Sequence, residues 1–234
     1  MRSGGEWAEM RTLTLARKDL IVEFRSKQLA SLMLLFSLVV ILAFRFALEP
    51  MLGAESGSLP NLAAAVIWIS YSFAAMMGMY ASFQNEREND ALDGLRLCPV
   101  EGGTVFLGKS LANLMVVFVV DVATLVLFII FFNYDLGGHV VEMLLLTLLG
   151  SSTLVLIGTL VSGIAATAEA SEIVLPVLFI PLVVFSVIIP AVNATRSILS
   201  NDVSGAFNQV AFIAGAAILF TALGYLTYDY LLEG

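Results

Sequence analysis

Residues 111–132 read LANLMVVFVVDVATLVLFIIFF. This run of 22 residues carries a single charge, Asp121. A bilayer core of about 30 Å is crossed by roughly 20 helical residues, so the stretch is long enough to span. It is continuously apolar, whereas the strand of a membrane barrel alternates over about ten residues. Residues 111–132 therefore predict a transmembrane helix, and the rest of the chain repeats the pattern. Similar runs lie at 29–48, 62–82, 140–164, 173–192 and 207–228, making six predicted spans. The fold class is all-α: a polytopic membrane protein with its amino and carboxyl ends on the same side.

Composition agrees. Hydrophobic residues make up 59% of the 234-residue chain and charged residues 13%, against about 45–50% and about 25% in soluble proteins. Little chain is left for a soluble domain. The net charge of −8 forms no surface suited to nucleic acid, and no nucleic-acid partner is expected. One cysteine, Cys98, and one histidine, His139, make an intrachain disulfide impossible and a His/Cys metal centre unexpected. No cleavable signal peptide is expected, because the first apolar run follows a charged segment and is too long for a signal core.

Lys and Arg set the orientation. Arg2, Arg11, Arg17, Lys18, Arg25 and Lys27 precede the first span, and Arg87, Arg96 and Lys109 lie between the second and third. Only Arg45 and Arg196 fall on the other side, nine against two. Both chain ends are therefore expected in the cytoplasm. The link between spans four and five breaks the rule, with Glu169, Glu172 and no basic residue. Residues 1–28 are expected to form a cytoplasmic leader and 29–234 a six-helix transmembrane domain. In the leader, Met10, Leu13, Ala16, Leu20 and Phe24 recur at helical steps while Arg17, Lys18, Glu23 and Arg25 fall off that stripe. The pattern predicts an amphipathic helix lying on membrane lipid.

The segment 84–110, QNERENDALDGLRLCPVEGGTVFLGKS, is the informative loop. Glu86, Glu88, Asp90 and Asp93 suit the start of a helix. Ala91, Leu92, Leu95 and Leu97 give it an apolar face that argues for a docking partner. Pro99 ends it, and a turn is expected at Gly102 and Gly103. Gly103, Gly108, Lys109 and Ser110 also match the spelling of a nucleotide-binding P-loop. No strand precedes them and the following helix enters the membrane, so the match is read as chance.

Three features inside the membrane stand out. Asp121 lies mid-span, where a lone carboxylate costs roughly 2.5–3.5 kcal/mol. It is either part of a translocation route or gate, or a hydrogen-bonding contact to a Ser or Asn of another helix. The fifth span carries Pro176, Pro181 and Pro190, which predict a kinked helix buried among protein partners. Small residues four apart, Ala74 and Gly78, Gly158 and Ser162, and Ala211 and Gly215, favour close helix packing. Arg45 is expected to snorkel to the headgroups, and His139 to sit solvated at the mouth between spans three and four.

The loop resembles the coupling segment of ATP-binding cassette exporter permeases in Glu86-Arg87-Glu88, Ala91 to Leu95, Gly94 included, Pro99-Val100 and Gly108-Lys109. More narrowly, the chain resembles the heme exporter B family of cytochrome c maturation. Ala16 to Leu20, Glu23 to Gln28 and the proline-broken Ile173 to Val192 carry that likeness, together with the length and six-span plan. The resemblance implies a non-enzymatic subunit of the cell membrane. It implies two protein partners: a cytoplasmic ATPase that binds and hydrolyses ATP, and a second, heme-handling membrane protein. Glu86 to Pro99 would be the docking surface. Heme would be the complex's cargo, or would leave on a chaperone, rather than a cofactor of this chain. Another ATP-driven exporter would share several of these motifs. A proton-coupled transporter using Asp121 is a further alternative, although no inverted repeat is visible. Self-association and a mixed assembly both fit the sequence.

Overall fold

The computed structural model describes residues 28–49, 59–88, 101–134, 136–166 and 171–233. The predicted leader helix and most of the coupling loop lie outside them. The helices are α1 (Gln28–Ala47), α2 (Leu59–Glu88), α3 (Gly102–Phe132), α4 (Val140–Ala166), α5 (Ser171–Val183), α6 (Ile189–Leu199) and α7 (Val203–Glu233). A π turn, Val184–Ile188, joins α5 to α6, and the three together make the fifth span. Among the described residues, six stretches are long and apolar enough to cross a membrane, as the sequence predicts. A helix satisfies its own backbone polar groups, which is what hydrocarbon demands of a spanning segment. At 1.5 Å per residue the 30 residues of α2 reach about 45 Å, well beyond the hydrocarbon core.

Two helices form the centre. In α2 and α4, 67% of the apolar window is buried, against 17–33% in the other spans. Between lipid-solvated helices no hydrophobic force remains, so close backbone approach has to supply the attraction. Gly150 of α4 lies under the Trp68 ring of α2, where a Cβ would meet the ring at 2.3 Å. Gly78 receives the Met33 side chain from α1, and Gly158 receives Met79. Two of the expected small-residue pairs thus sit at packed contacts. The third does not: nothing lies within 4 Å of a Cβ at Gly215, and Ala211 is exposed.

The fifth span also departs from expectation. It is not buried all round. Leu175, Phe179, Val183, Val187, Ala191 and Ala194 face the core, while Ile173, Val177, Phe185 and Ile189 point outward. Pro181 lies on the exposed side and Pro190 is buried. The π turn takes up the disturbance ahead of Pro190, with the Ile189 amide bonding back to the Val184 carbonyl.

Tight turns close one end of the bundle. α3 stops at Asn133, which adopts φ 47° and donates its amide to the Ile129 carbonyl. Gly137 and Gly138 follow with φ of 59° and 88°, a region glycine tolerates, before α4 starts. At the same end Asp202 accepts from the Gly205 amide at 3.1 Å and the Ser204 hydroxyl at 2.9 Å, capping α7. Six antiparallel passages leave the ends at Gln28, Glu88, Gly102, Ala166, Ser171 and Glu233 on the opposite side.

Candidate functional site

Asp121 sits in the middle of α3, fully buried, and α3 packs against α1, α2, α4 and α7. Ser151 of α4 donates its hydroxyl to Asp121 Oδ2 at 2.6 Å. Tyr71 of α2 lies beside the same carboxylate and beside Thr147, one turn before Ser151 on α4. Around this centre, Thr124 of α3 donates to Ser37 of α1 at 3.0 Å, and Ser37 donates to the Leu34 carbonyl at 3.0 Å. Trp68 donates its indole N–H to Thr195 of α6 at 2.9 Å and meets Tyr71 edge to face at 5.3 Å. Buried polar contacts therefore tie α1, α2, α3, α4 and α6 in one layer. Asp121 Oδ1, the Tyr71 hydroxyl and Thr147 Oγ1 make no hydrogen bond within it. No cationic side chain reaches the carboxylate among the described contacts. Lys109 is 12 residues away on the same helix, about 18 Å along the axis.

A second cluster lies at the end where α2 leaves and α3 enters. Glu86 and Glu88 fall in the last turn of α2, which runs past the expected boundary at residue 82. Asp90, Leu92, Asp93, Gly94, Leu95 and Pro99 lie outside the described residues. Gly102 and Gly103 do not form the expected turn. They are the first turn of α3, with the Thr104 and Val105 amides bonding to the Glu101 carbonyl at 2.9 and 3.2 Å. The reason is packing: both glycines are pressed onto α7. A Cβ at Gly102 would meet the Asp229 backbone, and one at Gly103 would meet the Tyr225 ring at 2.6 Å. The Gly102 amide donates to Asp229 Oδ1. Phe106 of α3 fills the notch left by Gly224 of α7 and lies 5.5 Å from the Tyr228 ring. Tyr228 and Leu231 in turn cover Gly163 of α4. The P-loop spelling is thereby explained away structurally. Gly103 to Ser110 is continuous helix, and Lys109 is buried at 8% exposure.

Comparison with known proteins agrees with this architecture. The family model described as CcmB protein matches residues 10–225. The chain belongs to the CcmB family. Heme exporter protein B of Pseudomonas aeruginosa is 25% identical over 214 residues, covering 90% of this chain and 92% of that protein. Family and fold together make it a multi-pass protein of the cell membrane.

Within this CcmB chain the remaining polar residues have structural settings. Arg45 donates Nε–H to the Phe131 carbonyl at 3.1 Å, so it satisfies the end of α3 as well as lying near the membrane edge. His139 lies 3.9 Å from Glu142 at the mouth before α4. Glu169 lies outside the described residues, as does the side chain of Glu172. No cluster of His, Cys, Asp and Glu suited to a metal occurs among the described residues. Sequence reading missed Tyr71, Thr147, Ser151 and Asp229. The spacing of Thr147 and Ser151, four apart on an apolar helix, carried a signal for the first group. Asp229 carried none, because its partner lies 127 positions away.

Proposed function

We propose that this chain is the membrane-spanning subunit of an ATP-binding cassette heme exporter serving cytochrome c-type biogenesis. The observation that carries the reading is the family match over almost the whole chain, from residue 10 to residue 225. The name heme exporter protein B borne by the relative supplies the cargo class. A separate cytoplasmic ATPase binds and hydrolyses ATP, since this chain's one P-loop spelling is membrane-entering helix. Its docking surface is the segment from Glu86 to Pro99, with Glu86, Glu88, Asp90, Leu92, Asp93, Gly94, Leu95 and Pro99 as the contact residues. The acids offer charge, and the leucines offer the apolar face that an exposed loop otherwise has little reason to carry. A second, heme-handling membrane protein completes the complex and receives or holds the heme.

The buried layer around Asp121 serves this subunit as an interhelical contact and fixes how the core helices sit against one another. The Ser151 hydroxyl supplies the bond that joins α4 to Asp121 of α3. The test is affinity purification of the intact complex from membranes, with ATP hydrolysis as readout. Reversing Glu86, Glu88 and Asp93 to lysine is expected to release the ATPase while the six spans stay folded. Transport by the chain alone under a proton gradient, without ATP, would instead favour a proton-coupled carrier.

A further inference from the structure

The start of α3 has an unusual cap. The residue before the helix is Glu101, yet its side chain makes no capping hydrogen bond, and the first turn of α3 contains no acidic residue. A helix start exposes unpaired amides and partial positive charge, and a carboxylate is what it favours. Here that carboxylate comes from another helix. Asp229, in the last turns of α7, accepts the Gly102 amide. The contact is backed by steric fit on both sides. Gly102 and Gly103 leave no room for a Cβ against Asp229 and Tyr225, and Gly224 leaves none against Phe106. Two adjacent glycines at a helix start would ordinarily weaken it. They are tolerated here because they let α7 come into backbone contact.

We propose that Asp229 is a positioning residue that fastens the start of α3 to α7, so that force applied to the segment before α3 moves the third and sixth spans as one body. This inference rests on the reading of Glu86 to Pro99 as the ATPase docking segment. That segment runs into Glu101 and Gly102. Without the Asp229 contact, a push on it would bend or fray the first turn of α3. With the contact, the push reaches α7 and, through Tyr228 and Leu231 on Gly163, also α4.

The test uses the purified complex in lipid nanodiscs, with spin labels at Met115→Cys and Tyr230→Cys in a Cys98→Ser background. Both labelled positions are exposed, on α3 and α7. The label-to-label distance is read without nucleotide and after trapping with ATP, magnesium and vanadate. In the otherwise unaltered complex the distance is expected to stay constant between the two states. Asp229→Asn keeps an acceptor oxygen and is expected to behave the same way. Asp229→Leu is expected to broaden the distribution and make it change on trapping, with the ATPase still bound. Gly103→Ala, which displaces Tyr225 rather than Asp229, is expected to do likewise. An unchanged distribution in both Asp229→Leu and Gly103→Ala overturns the proposal, as does a distance that changes on trapping with Asp229 intact. If no ATPase accompanies the chain, the docking reading fails by itself. The nucleotide-free comparison of Asp229→Leu with the parent then still decides whether the contact holds α3 to α7.

Discussion

At the scale of single residues, the structure separates polar groups that hold helices together from groups that have no partner. Among the described residues, Ser151 gives Asp121 its one hydrogen bond. Ser151→Ala leaves a buried carboxylate without a donor, and removing one partner of such a pair costs about 1–3 kcal/mol. Thermal unfolding in detergent should register that loss, and Asp121→Asn should be milder. Tyr71 is the contrasting case, since its hydroxyl lies beside Thr147 but makes no hydrogen bond of normal geometry among the described residues. Tyr71→Phe is expected to be neutral or stabilising by the same assay. Asp202 gives a pH prediction outside the membrane. The Gly205 amide first, then the Ser204 hydroxyl, hold its carboxyl below the ordinary carboxylate value. A depressed pKa in the folded state contributes stability above the unfolded value of about 3.9 and loses it as pH falls through the folded value. Asp202→Asn should therefore lose stability at neutral pH and show a weaker acid dependence, measured by unfolding between neutral pH and acid.

At the scale of helices, glycine contacts decide the packing. Gly150→Ala forces a methyl against the Trp68 ring, and overpacking of a close-packed core costs about 1–3 kcal/mol. Gly215→Ala meets nothing and should leave unfolding unchanged or slightly favour the helix. The difference between these two glycines marks what sequence could and could not reveal. Uninterrupted apolar runs announce spanning helices because lipid forces the choice, so the stretch 111–132 was legible from its residues alone. Which glycine meets a ring depends on the rotation of two helices about their axes, and a nearly uniform apolar helix does not encode that rotation in its pattern. The same limit explains Gly102 and Gly103. Locally they spell a turn, and only α7, more than a hundred residues away, makes them the start of a helix. Asp121 was legible as a buried acid. Its partner Ser151 was not, since any of several intramembrane serines would have served.

At the scale of the whole molecule, alternation of six spans places the ends of α2, α4 and α7 and the starts of α1, α3 and α5 on one side. The positive-inside pattern predicts that this side is cytoplasmic. The 167–170 link lacks a basic residue, so topology is best tested around it. Cysteine placed at Asp202 should react with an impermeant maleimide from outside. Cys98 and a cysteine at Glu169 should react only after the membrane is opened. On the proposed reading the ATPase docks at the cytoplasmic side, on Glu86 to Pro99, just ahead of the start of α3 that α7 supports. The most direct measurement of the central claim is purification of the complex from its native membrane, with mass spectrometry and ATP hydrolysis followed together. The account predicts a co-purifying ATPase whose association disappears when Glu86, Glu88 and Asp93 are all reversed to lysine, while the six spans of this chain remain folded. An ATPase that stays bound and active on that triple variant, or its absence from the unaltered complex, would contradict it.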